Sequence, residues 1–153
     1  MKPILAIDPG ASGGIAWVDS CGMTMTQPMP EGMTAQVDFV RSLVASFPGL
    51  TATLERTGTY MPGNSGPAAA TFARHCGSLE TCLYCLGVPT VQVTPQRWQK
   101  HFGALPKEKP ERKRSIKELM SRRYPHLTVT LKTADALGIL TYAIETSGGA
   151  KTP

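Results

Sequence analysis

Acidic side chains are scarce in this sequence. Eleven Asp and Glu stand against sixteen Lys and Arg, giving a formal net charge of +5. Each acid set inside an apolar run is therefore informative, and the balance favours a polyanionic partner, although it falls short of a histone-like excess. Long apolar runs are absent: none approaches the roughly 20 residues that span a bilayer, so no membrane partner is expected. The N-terminus has no basic flank, apolar stretch or small-residue cleavage site of a secretory signal, so a cytoplasmic location is expected and secretion is not. No repeat or linker divides the 153 residues, a length that suits one domain, 1–153, with a sizeable core. Only 18% of residues are charged and 41% are hydrophobic, which excludes a disordered chain.

Cysteine is limited to Cys21, Cys76, Cys82 and Cys85. Disulfides are not expected without a secretory signal. Cys82 and Cys85 form C-x-x-C, and His75 adjoins Cys76, which leaves two readings. One is zinc, although four ligands along one helix-like run do not converge. The other is small thiols packed on a helix.

What is present is a regular alternation of elements. Residues 3–8 read as a buried strand. "GGIAWVD" and "GMTMTQ" read as two more strands turned at 20–22. Residues 34–46 carry Val37, Val40, Arg41 and Val44 at helical spacing, with Thr34 as the expected N-cap. "TATLER" reads as a strand ending at Glu55, and 57–66 as a glycine-rich loop holding Tyr60. A long helix is expected from Pro67 to about Leu86, with Phe72, Cys76, Leu79, Leu83 and Leu86 on one seam that suits the core or a partner helix. "VPTVQV" is a further strand and "TPQRWQKHF" a short helix begun by Pro95. "GALPKEKPERKR" is polar and basic, "RSIKELMSRRY" helical, and "TADALGILTYAIE" an apolar helix capped by Thr133 or a neighbour. The order β-β-β-α-β-α-β-α-α-α implies an α/β fold, a mixed five-stranded sheet with helices on both faces.

Three acids end or begin these elements: Asp8 after "ILAI", Glu55 after "TATL", and Asp135 in "ADALGIL". Isolated carboxylates in such company are costly to desolvate. The cost falls if they meet around a cation, and oxygen-only ligands suit Mg2+, with Mn2+ as a substitute. Two such ions activate water and steady the leaving oxygen in phosphodiester cleavage. The alternative is three unrelated caps, Asp135 being a plain first-turn acid. The glycines after Asp8 allow a backbone or phosphate to come close. Lys107, Lys109, Arg112, Lys113, Arg114 and Lys117 form a dense positive run, extended by Arg122 and Arg123, of the kind that neutralises phosphates.

"ILAIDPGASGGIAW", "TLERTGTYMPGNSG", "ARHCGSLETCLYCLGVPTVQVTPQRWQK" and "KTADALGILTYA" together resemble the RuvC-type Holliday junction resolvases, over residues 3 to about 145. The pattern is also similar to the chloroplast branch of that family. The resemblance implies an RNase H-like fold, a homodimer, and metal-dependent nicking of two strands of a four-way DNA junction in recombination and repair. It carries metal-ligand and catalytic roles to Asp8, Glu55 and Asp135. It carries DNA contacts to Lys100 and Lys113, an aromatic in the junction-facing loop to Tyr60, and a dimer contact to the long helix. The family places a further acid or histidine three or four residues before the last aspartate. Here Leu131 and Lys132 stand there, which leaves three readings: Lys132 is a catalytic residue that contacts the scissile phosphate, solvent fills in for the replaced ligand, or an acid from elsewhere completes the site. Two other classes compete. Actin-like and sugar-kinase folds open similarly to bind ATP but need two such domains, so no nucleotide cofactor is expected. A branched-DNA-binding module with a decayed metal site, or a nuclease for other branched DNA, is the closer alternative.

Overall fold

The computed structural model describes residues 1–56 and 66–147. Its elements follow the expected order: β1 (Ile4–Asp8), β2 (Gly14–Val18), β3 (Thr24–Pro28), α1 (Met33–Ser46), β4 (Thr51–Glu55), α2 (Gly66–Cys85), β5 (Thr90–Val93), α3 (Pro95–Lys100), α4 (Lys109–Arg123) and α5 (Ala134–Ser147). The strands form one mixed sheet in the order β3-β2-β1-β4-β5. β1–β2 and β2–β3 pair antiparallel, whereas β1–β4 and β4–β5 pair parallel. Asp19 shapes the turn between β2 and β3, its Oδ1 accepting from the Cys21 and Met23 N–H groups at 2.9 and 2.8 Å.

The two-residue period of the strands decides where the acids point. On β1, Leu5 and Ile7 enter a core shared with Val40 and Leu43 of α1 and Leu79 and Leu83 of α2. Ile4 and Ala6 face the other way, into a core built with Trp98 of α3, Ile116 and Met120 of α4, and the apolar side of α5. Asp8 keeps the parity of Ile4 and Ala6. On β4, Ala52 and Leu54 belong with α1 and α2, so Glu55 shares the opposite face. Ile7 pairs with Leu54, and Asp8 and Glu55 are the next residues of these parallel strands. Both acids thus emerge at one end of the sheet, on the side covered by α3, α4 and α5.

Three local expectations need correction. Thr34 is not the N-cap of α1: Gly32 is, at φ 82° with no side-chain hydrogen bond. α4 begins at Lys109, within the polar and basic stretch and ahead of the expected start at Arg114, because Pro110 occupies a first-turn position whose N–H has no helical partner in any case. On the α2 seam the core reading holds at Leu79 and Leu83, which are fully buried within the chain, while Phe72, Cys76 and Leu86 are half-buried. The cysteines are also less buried than expected, since Cys82 is buried but Cys85 and Cys21 are exposed.

Candidate active site

A cleft of about 1250 Å³ opens at the sheet end where Asp8 and Glu55 emerge, and Asp135 lines it too. The three acids that lie far apart in sequence share one cavity, each nine-tenths buried or more, with 8, 8 and 9% exposure. β1 delivers Asp8, β4 delivers Glu55, and the first turn of α5 delivers Asp135. α5 starts there because the Thr133 carbonyl accepts the Leu137 N–H at 3.0 Å, while its hydroxyl accepts from the Thr130 N–H at 3.0 Å.

The electrostatics are those of crowded carboxylates. Burial, then the charges of Glu55 and Asp135, push the Asp8 carboxyl well above the usual carboxylate range. Burial pushes Glu55 up to about 7; Asp135 adds to the rise and a hydrogen bond from Trp98 opposes it. That bond runs from the indole Nε1–H to Glu55 Oε2 at 2.6 Å. Lys113 Nζ donates to Asp135 Oδ2 at 3.0 Å. Burial works against the Lys113 ammonium, but Asp135, Asp8 and Glu55 outweigh it and hold its pKa above the ordinary lysine value. Asp135 Oδ1 is buried with no hydrogen-bond partner.

The strand-end loop is held from α2. His75 Nδ1 accepts the Gly10 N–H at 2.7 Å. Gly10 has φ 106°, and a Cβ there would meet the Phe72 ring at 3.1 Å, so glycine is required on both counts. Because Nδ1 accepts, the neutral ring carries its proton on Nε2, which is buried and unpartnered. Burial holds the His75 pKa below its usual value. Cys76, the next residue, is pushed up to about 11 by burial and by the Glu55 and Asp8 charges.

The positive run divides by helical phase. Lys109, Arg112 and Lys113 line the cavity with Ile116, as positions spaced by three and four residues must. Arg112 is fixed by the carbonyls of Lys107 at 2.6 Å and Pro106 at 3.3 Å. Lys100, Lys107, Arg114 and Lys117 do not line it, and all but Lys117 are exposed. Lys132, the candidate phosphate contact, is exposed and does not line the cavity. The lysine at the acids is Lys113, from a different helix. Tyr60 lies outside the described residues. Arg74, Gln36, Gln96 and Gln99 line the cleft without having been singled out in the sequence, because lone polar residues on helices and loops carry no local signal, and His75, noted there only beside Cys76, lines it too.

The donor set suits a hard divalent cation: three carboxylates, one with an orphaned oxygen, and a mutual repulsion answered by one ammonium. As the side chains stand, no group of three or more His, Cys, Asp or Glu among the described residues is placed to hold a metal ion, so metal binding requires the three carboxylates to draw together. The same holds for the cysteines and His75, which form no such group among those residues.

This geometry is that of the RNase H-like α/β fold. More narrowly, Thermus thermophilus RuvC in complex with a Holliday junction substrate is similar over 97% of each chain, at a TM-score of 0.62 and 17% identity. A second T. thermophilus RuvC structure gives 0.57 and 18% over 96% of each chain. The Fowlpox virus resolvase, with its substrate Holliday junction DNA, gives 0.58 and 11% over 95% of this chain and 98% of its own. No protein-family model and no curated protein sequence matches the chain. The similarity to the chloroplast branch rests on the sequence pattern alone.

Proposed function

We propose that this chain is a metal-dependent, structure-selective endonuclease that resolves four-way DNA junctions by paired nicking as a homodimer. The observation that carries the reading is the convergence of Asp8, Glu55 and Asp135 in one cleft walled by Lys109, Arg112 and Lys113. Its support from likeness is that the similar RuvC and poxvirus resolvase structures hold Holliday junctions. Asp8, Glu55 and Asp135 would hold Mg2+ or Mn2+, which supplies an activated water and charge neutralisation at the phosphodiester. Lys109 and Arg112 neutralise flanking phosphates. Lys113 donates to Asp135 at 3.0 Å and would be free to contact the phosphate if a cation were to replace it at that carboxylate. His75 keeps the loop after Asp8 in place.

A junction has two-fold symmetry, and a two-fold dimer presents two such sites to it. The surface proposed for the second copy is the outer face of α2, where Tyr84 is 83% exposed, with the β5 residue Val91 at 66%. A DNA-containing compartment follows from this substrate. A second reading, junction binding without cleavage, is favoured by two observations: no three His, Cys, Asp or Glu side chains of the described residues are placed to hold a metal ion, and Lys113 sits on Asp135.

The deciding experiment is incubation of a mobile four-way junction and a linear duplex of the same sequence with the chain, with and without Mg2+. Paired nicks on the junction alone, dependent on Mg2+, are expected. Binding without nicking across Mg2+ and Mn2+ concentrations selects the module, and equal cutting of duplex overturns the junction preference.

A further inference from the structure

Trp98 is the largest fully buried side chain of the molecule's described residues, yet it sits on a six-residue helix that contributes little else to the core. Its indole N–H donates to Glu55 Oε2 at 2.6 Å. Its six-membered ring lies on Gly138 of α5: a Cβ added there would come within 2.7 Å of Cζ3 and 3.3 Å of two further ring atoms. Gly138 is three residues, nearly one turn, after Asp135. A glycine inside a helix costs about 1 kcal/mol relative to alanine, so its presence in the middle of α5 calls for a local reason. The indole seat supplies it.

A buried carboxylate with two free oxygens can swing or take either oxygen to a cation. Tying Oε2 to a rigid ring leaves Oε1 as the oxygen of fixed position. The ring is itself fixed by α5, which also carries Asp135. The strand acid and the helix acid are thereby referred to one another through a single side chain. We propose that Trp98 is a positioning residue of the cleavage site, which sets the orientation of Glu55 relative to Asp135 and so the affinity for divalent cations, and that Gly138 exists to seat it. This rests on the metal-dependent nuclease reading above.

Outer-shell partners of this kind change metal affinity by roughly 10–100-fold when removed. The sharp variant replaces Trp98 by its benzothiophene analogue, which preserves ring shape and loses only the N–H; Trp98→Phe is the coarser version. Calorimetric titration with Mn2+, without DNA, should show a loss of roughly 10–100-fold in affinity for the analogue with the melting temperature nearly unchanged. Gly138→Ala, which keeps the N–H but pushes the ring aside, should give a comparable loss, and the double variant should lose little more than either alone. An independent readout needs no metal. The chain has two tryptophans, Trp17 and Trp98, and Trp17 Nε1 is buried without a partner. In the metal-free protein the Trp98 indole N–H resonance should exchange slowly and move in Glu55→Gln, while that of Trp17 stays put.

Unchanged Mn2+ affinity in the benzothiophene variant overturns the proposal, as does an indole signal indifferent to Glu55→Gln. Failure of the wild-type chain to bind Mn2+ at all overturns both this proposal and the nuclease reading. An indole signal that still responds to Glu55→Gln then locates the failure in the metal chemistry. If wild type binds Mn2+ and nicks junctions but the variants do so equally, only the role of Trp98 falls.

Discussion

Asp8 and Glu55 are placed where neither would ionise comfortably alone. That placement makes two outcomes expected. Asp8→Asn or Glu55→Gln should lower junction cleavage by about 1000-fold or more, since each removes a charged oxygen ligand rather than a packing contact. Junction binding, carried by α4, should stay within a few-fold of wild type in a gel-shift assay. Parallel loss of binding and cutting would contradict these roles. The second outcome concerns pH. Glu55 is raised from 4.5 to about 7, so the folded chain holds its proton more tightly than the unfolded chain does. Its stabilisation is fully present below about pH 4.5 and is lost as pH rises through about 7, amounting to up to about 3 kcal/mol. Chemical denaturation without metal should therefore show a more stable protein at pH 5 than at pH 8. Glu55→Gln should flatten that slope, and Mg2+ should restore stability at pH 8 much more than at pH 5. A slope unaltered in Glu55→Gln would contradict the assignment.

Among the elements, β1, β4 and α5 were legible because each announces itself locally: a short apolar run with an acid at its end, or an apolar helix with an acid in its first turn. Strand parity then places Asp8 and Glu55 on one face, information already present in "ILAID" and "TATLE". α4 was legible only in part, since Pro110 and the dense charge of its first turns hide a helix start that tertiary packing through Ile116 and Met120 supports. Partners across elements were not legible. Lys132 is near Asp135 in sequence, but it is exposed and outside the cavity lining, and the lysine bonded to Asp135 is Lys113, 22 residues earlier. The Trp98–Glu55 bond spans 43 residues and the His75–Gly10 bond 65, and neither leaves a periodic trace. The phase of α4 yields its own prediction. Lys109→Ala and Arg112→Ala should each weaken junction binding and lower the slope of log affinity against log salt by about 1, as loss of one phosphate contact does. Salt titration of binding checks this, and an unchanged slope would remove α4 from the DNA surface.

At the scale of the molecule, the burial of Leu79 and Leu83 separates stability from association. Either residue changed to Ala should cost about 2–5 kcal/mol in denaturant unfolding, as a core truncation does. Tyr84→Arg, on the exposed face of the same helix, should leave the unfolding midpoint nearly unchanged while shifting sedimentation toward the monomer and uncoupling the paired nicks. A dimer indifferent to Tyr84→Arg would place the partner surface elsewhere. In the proposed function, the fold, the cleft and the basic helix serve one event, the meeting of divalent ions and a DNA phosphate at Asp8, Glu55 and Asp135. Anomalous diffraction from crystals of the protein with a four-way junction, soaked in Mn2+, measures that event directly. The account predicts manganese peaks bound by these three carboxylates, with Lys113 released from Asp135; a junction seated in the cleft with no manganese at the carboxylates would contradict it.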